Sequence, residues 1–238
     1  LHEAFSGSNC GPCEPAARNL SNALQDADGR YAMVKYQIGS DPYISAEAVG
    51  RRMMYLPGES SYGIPYVHAD GTNAFHPNEM DDGEPYDASD FELLAQVEAS
   101  LAVDVTMALE GQTVSSLVTI DPIHDLESSD LRLMVAIIEN KTTENIGSNG
   151  QTEFHNVFKK FVPDSEGTPL DALTADESVS FDLTYEFQGE YADDTAIDNQ
   201  VDHATEHTVE EFEDLAVIAW VQDATSWTVY NTGFDGIH

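Results

Sequence analysis

Leu1-His2-Glu3-Ala4-Phe5-Ser6-Gly7-Ser8-Asn9-Cys10-Gly11-Pro12-Cys13 opens the chain: a short apolar strand, a loop, and the only two cysteines in the sequence. Pro15-Ala16-Ala17-Arg18-Asn19-Leu20-Ser21-Asn22-Ala23-Leu24 follows, rich in alanine and leucine, with a proline that a first helical turn tolerates. A cysteine at a helix N-terminus meets free N–H groups and the positive end of the helix dipole, and both favour the thiolate. A thiolate attacks disulfides, and a second cysteine one turn on resolves the mixed disulfide that forms. Cys10 and Cys13 thus read as a pair for thiol–disulfide exchange. Two other readings stay open. The pair could be half of a zinc site, although no second cysteine pair completes one. It could also be an inert disulfide, although a link across so short a loop constrains the unfolded chain little.

Outward from the motif, Asp26-Ala27-Asp28-Gly29 ends the helix and Tyr31-Ala32-Met33-Val34-Lys35-Tyr36-Gln37-Ile38 reads as a strand. Strand, helix, strand implies a βαβ unit with parallel strands. A helix is expected from Ser45 to Met54. Asp70-Gly71 marks a two-residue hairpin turn between short antiparallel strands, with Pro65 at the mouth of the first. A last helix is expected from Asp90 to Leu101, with apolar positions 91, 94, 97 and 101 and Ser89 or Asp87 as its cap.

This order resembles the thioredoxin superfamily. The matching residues are Cys10-Gly11-Pro12-Cys13 and Gly63-Ile64-Pro65, and the resemblance covers roughly residues 1–102. It implies that Cys10 is the attacking sulfur, that Cys13 resolves, and that Pro65 is cis and lies against the disulfide. Gly11, Pro12 and Ile64 would then meet the partner's extended chain. The plain alternative is a trans proline opening an edge strand. Two departures stand out. Asn9 occupies a position where thioredoxins carry an aromatic residue, and Ala4 stands where several relatives place a buried acid. Glu3 is adjacent to Ala4, but a one-residue shift on a strand turns the side chain to the opposite face.

The second half changes character. Short alternating runs at 103–109, 114–120, 131–138, 154–162, 179–187, 215–221 and 226–230 are separated by turn residues, with no convincing helix. The expected architecture is an α/β thioredoxin-like domain over residues 1–102 followed by an all-β, immunoglobulin-like sandwich over 103–238. This layout resembles a family of bacterial outer-membrane and secreted surface proteins. Its rear half is matched by Phe154-His155-Asn156-Val157-Phe158-Lys159-Lys160-Phe161 and Ala219-Trp220-Val221-Gln222-Asp223.

The chain of 238 residues carries 44 acidic and 9 basic side chains, a net charge of −35. Such a surface repels phosphate backbones, which argues against nucleic acid as a partner, and disfavours anionic lipid surfaces. No apolar run approaches a membrane span. The chain begins inside an expected strand without an initiator methionine, which fits a removed export signal and an extracytoplasmic location. Acids crowd the stretch from Glu186 to Asp214 without a lysine or arginine. Asp193, Asp194, Asp198 and Asp202 are oxygen donors of the kind calcium uses. His203 and His207 are one helical turn apart, a spacing a transition metal could use. A solvated acidic loop explains both patterns without a metal. His68 reads as a solvent-facing strand residue that could otherwise flank the redox site, and Trp220 and Trp227 read as packing residues.

The leading functional reading is an extracytoplasmic thiol–disulfide oxidoreductase. It acts on protein thiols or disulfides and needs no cofactor beyond the Cys10–Cys13 disulfide. The alternative is a cell-surface structural or interaction protein, open to stabilisation by calcium, in which that disulfide is passive. Either reading leaves room for self-association or assembly at a surface.

Overall fold

The computed structural model describes residues 1–27, 29–128, 130–192 and 200–237. Its first elements follow the local signals. β1 (His2–Ser6) leads through a loop into α1 (Cys13–Leu24), and β2 (Met33–Gln37) follows. α2 (Ala46–Met54) starts at Ser45, whose Oγ accepts from the Ala48 N–H at 3.2 Å, and ends on Arg51 and Arg52 at the negative pole of the helix dipole. β3 (Tyr66–Ala69) and β4 (Asn73–Phe75) form the hairpin. Asp70 and Gly71 have φ of 48° and 76° at its turn, the left-handed pair that a type I′ hairpin demands. A Cβ on Gly71 would lie 1.8 Å from the Trp227 carbonyl oxygen, so only glycine lets this tip dock there.

α3 (Ala88–Leu94) is capped reciprocally by Asp87 and Asp90, yet it is shorter than expected. Val97 is 80% exposed, and Leu101 belongs to the next strand. The strands that follow are β5 (Leu101–Glu110), β6 (Thr113–Pro122), β7 (Leu131–Thr142), β8 (Phe154–Phe161), β9 (Thr168–Pro169), β10 (Val179–Glu186), β11 (Glu190–Tyr191) and β12 (Glu206–His207). A 3-10 turn (Phe212–Asp214) precedes β13 (Leu215–Asp223) and β14 (Val229–Asp235).

The large sheet runs β14-β13-β7-β8-β2-β1-β3-β4, with β9 also on β7. β1 and β2 are parallel, β2 meets β8 in parallel at Lys35 and Val157, and the other neighbours are antiparallel. β5, β6 and β10 form a second antiparallel layer, and β11 pairs β12. A core shared by both halves of the chain lies on one face of the large sheet, joining Phe5, Val34 and Tyr36 to Phe158, Phe161, Ile218 and Trp220. Alternate residues face the other way. Ala4 and Met33 pack under α1 and α3, whereas Leu133, Val135, Val217 and Ala219 pack under the three-stranded layer.

The expected thioredoxin-like α/β domain followed by an immunoglobulin-like sandwich is therefore corrected. The chain is mostly β, and the α-helices among the described residues have only 12, 9 and 7 residues. The strands of the βαβ unit do not close a sheet of their own, because β8 occupies the outer edge of β2 and the sheet continues through β7. The later strands do not close on one another either, because β7, β8, β13 and β14 belong to the mixed sheet and only β5, β6 and β10 form a facing layer. An unpaired edge at β2 would expose a row of backbone donors and acceptors, and β8 lies along that edge and pairs with it at Lys35 and Val157.

Candidate functional site

Cys10 and Cys13 form a disulfide, with Cα atoms 5.3 Å apart. Cys13 is the first residue of α1 and is fully buried, while Cys10 lies one turn earlier and is half-buried. Pro12 at the cap position supplies no side-chain acceptor, Pro15 in the first turn of α1 has no N–H, and the Ala16 N–H donates to Pro12 O at 3.3 Å. The turn is closed by the Cys13 N–H donating to Cys10 O at 3.1 Å and the Cys10 N–H donating to Gly7 O at 3.2 Å. Gly11 and Pro12 between the sulfurs are exposed.

The Ile64–Pro65 peptide is cis, and the Cys10 Sγ lies 3.9 Å from the Ile64 carbonyl oxygen. The Ile64 side chain packs where Gly7 and Gly39 lack one, since its Cδ1 would stand 3.3 and 3.0 Å from a Cβ on each. The structure thus brings Cys10, Cys13, Gly11, Pro12, Ile64 and Pro65 to one place.

Residues that the motif reading missed hold the loop before Cys10. Asp41 is buried and accepts from the Ser8 N–H at 2.8 Å and the Tyr43 N–H at 2.9 Å. Burial pushes its carboxyl above the usual range despite those donors. Asn9 donates to Ser40 O at 2.6 Å and accepts from the Ser148 N–H at 2.9 Å. The Asn149 N–H donates to Ser8 O at 3.0 Å, and a Cβ on Gly147 would meet that same oxygen at 2.5 Å. The 147–149 segment therefore lies against one flank of the cysteine loop. Asn9 joins the two segments, a use of the side chain with no signature in the local sequence.

Glu3 points away from this site. Arg51 donates to its two oxygens at 2.7 and 2.8 Å, and Tyr36 OH donates at 2.9 Å. Burial alone would raise the Glu3 pKa, but the Arg51 guanidinium and the hydroxyl donors outweigh it and hold the carboxyl below its ordinary value. On the Ala4 side, the residue in register is Lys35, a cation that is 6% exposed. His68 corrects its solvent-facing reading. It is buried, stacked on Tyr55 at 3.8 Å between ring centres, with Nε2 2.9 Å from Arg52 Nη1. Burial and the neighbouring Arg52 charge lower its pKa to about 4.

Of the expected calcium donors, Asp193, Asp194 and Asp198 lie outside the described residues. Asp202 Oδ1 accepts from the Ala204 N–H at 3.1 Å, a bond local to its own turn. His207 uses both ring nitrogens within the fold, one beside Gln112 Nε2 at 3.2 Å and one accepting from the Val209 N–H at 3.2 Å. Among the described residues no three His, Cys, Asp or Glu side chains gather as a metal site. Among them, too, no helix is long and apolar enough to cross a membrane.

No protein-family model matches the sequence, and no curated protein matches it. Among solved structures, the chain is similar to HBP35 of Porphyromonas gingivalis. The TM-score is 0.68 at 13% identity, over 99% of this chain and 74% of that one. At that identity the likeness concerns the fold alone, and it spans the mixed sheet and its facing layer together. It therefore sides with the mostly β arrangement and against the thioredoxin-like assignment and the redox label drawn from it. Two weaker likenesses carry no argument. The E. coli curli protein CsgC matches at a TM-score of 0.23 and 11% identity, over 56% of this chain and 96% of that one. A beta-glucosidase 3B from Thermotoga neapolitana matches at 0.31 and 13%, over 68% of this chain and 19% of that one. Both TM-scores are too low to establish a shared fold.

Proposed function

We propose that the chain exchanges disulfides with protein partners through Cys10 and Cys13. The observation that carries this reading is local and independent of any fold family: Cys10 is half-buried at a turn edge, and Cys13 is fully buried in the first turn of a helix. In the reduced form, Cys10 as thiolate attacks a partner disulfide and expels one partner thiolate. Cys13 then attacks the Cys10 sulfur and expels the second. The partner gains two electrons and the chain returns to the Cys10–Cys13 disulfide, and the reverse sequence oxidises a partner dithiol. The Ile64 carbonyl beside the Cys10 sulfur offers an acceptor to the backbone of an extended partner. An oxidising, extracytoplasmic compartment suits a disulfide that is closed at rest.

The test is a trapping experiment with a peptide that carries one disulfide. The Cys13→Ser chain should accumulate a mixed disulfide through Cys10, and the Cys10→Ser chain should not. Equal trapping by both variants, or by neither, overturns the assignment of roles.

A second reading is favoured by the 147–149 segment on one flank of the loop. In it the disulfide is passive and the chain serves as a structural or interaction protein at a cell surface. Reduction of the disulfide then changes stability but transfers no electrons to partners.

A further inference from the structure

A cavity of about 750 Å³ lies between α1, the start of β2, the start of β8 and the end of β14, a volume in the range of small-molecule sites. Leu20 and Leu24 from α1 and Phe234 and Ile237 from the C-terminal end give it apolar walls. Lys35 lines it from β2. Every other lysine in the chain has a carboxylate: Lys141 faces Glu153 at 3.8 Å, Lys159 faces Glu139 at 2.9 Å, and Lys160 meets Glu47. Lys35 is 6% exposed and has no carboxylate and no hydrogen-bond partner among the described residues, in a chain with 44 acids. A buried ammonium without a counter-charge is costly, and a chain this acidic had many ways to avoid it.

We propose that this cavity binds a small molecule that joins a single carboxylate to an apolar body, with the Lys35 ammonium as its anchor. The inference is independent of the chemistry at Cys10 and Cys13. The ammonium matches one negative charge, and the walls match hydrocarbon. A dianionic phosphate would bring a second charge for which the cavity offers no unpaired cation. Arg18, the other basic residue at the cavity, is already committed to Glu14 at 3.0 Å. His155 adds no charge near neutrality, since burial and the Lys35 charge beside it lower its pKa.

The probe is decanoate, held below the concentration at which it forms micelles and titrated calorimetrically into the full chain. The expected result is saturable binding of one molecule per chain. Decan-1-ol should bind at least tenfold more weakly, Lys35→Met should lose at least tenfold in affinity, and Lys35→Arg should keep most of it. Amide chemical-shift changes in the unaltered protein should concentrate in α1, β2, β8 and β14, a readout that does not depend on any variant folding. Four outcomes overturn the proposal: no saturation, equal affinity in Lys35→Met, shift changes spread over the exposed surface, or tighter binding of decyl phosphate than of decanoate.

Discussion

Replacing Glu3 by leucine removes the counter-charge of a guanidinium that lies entirely inside the protein. Arg51 bonds Glu3 at 2.7 and 2.8 Å, and Tyr36 OH and Tyr55 OH donate to the same carboxylate at 2.9 and 2.5 Å. Arg51 also donates to Gln222 Oε1 at 2.7 Å and lies 5.6 Å over the Trp220 ring, so the pair ties β1 and α2 to β13. Removing one partner of a buried pair costs about 3–5 kcal/mol, because the other charge remains desolvated. Against a total stability on the order of 5–15 kcal/mol this is a large loss. Arg51→Met should cost a similar amount by stranding Glu3. The double variant should return to within about 2 kcal/mol of the original chain, since apolar groups of similar volume often replace such a pair at little cost. Urea unfolding at pH 7 with an unchanged m-value measures all three. The Glu3 carboxyl has a lowered pKa when folded, so its contribution is complete above the unfolded value. It fades as the pH falls through the folded one, and the single-variant gap should narrow in acid. Single losses below about 1 kcal/mol, or a double loss equal to their sum, would refute the reasoning.

Lys35→Met should stabilise the chain at pH 7 by about 3 kcal/mol, because burial lowers the Lys35 pKa from 10.5 to about 8 and each unit is worth about 1.4 kcal/mol. That gain should hold below pH 8, shrink from there to 10.5 and vanish above, as urea midpoints across this range will show. A Cβ at Gly147 would press on Ser8 O at 2.5 Å and Ser8 C at 2.6 Å, so Gly147→Ala should lift the 147–149 segment. The expected effects are a loss of about 1–3 kcal/mol and faster reduction of Cys10–Cys13 by dithiothreitol; an unchanged reduction rate counts against a covering role. In the reduced protein, alkylation near neutral pH should label Cys10 before Cys13, which is fully buried; equal rates contradict the division of roles.

What the sequence made legible was local. The alternating runs at 103–109 and 114–120 lie in β5 and β6, and Asp70-Gly71 turns a hairpin where its left-handed preference requires one. The helix periodicity through 97 and 101 misled, because Leu101 is claimed by pairing with Pro122 and only Phe91 of the set is deeply buried in α3. The architecture was not legible. β2 and β8 meet through Lys35 and Val157, more than a hundred residues apart, and nothing in either strand names its neighbour. His68 was misjudged because its covers, Tyr55 and Arg52, come from the end of α2 rather than from its own hairpin. At the site, the cysteine pair and Pro65 stood out by residue type. Asp41, Asn9 and Gly147 are ordinary loop residues until the fold brings 147–149 against the cysteine loop. Lys35 did leave a trace: it shares the inward alternation of Met33 in a strand whose five residues are all buried.

The central claim is that Cys10 and Cys13 pass electrons to partner disulfides and take them from partner dithiols. The most direct measurement is the reduction of insulin disulfides by dithiothreitol, followed as the turbidity of the released B chain, with and without the protein. The account predicts that catalytic amounts of the chain speed the reaction well above dithiothreitol alone and that Cys10→Ser abolishes the effect while the fold persists. A rate equal to dithiothreitol alone, or an acceleration that survives Cys10→Ser, would contradict it.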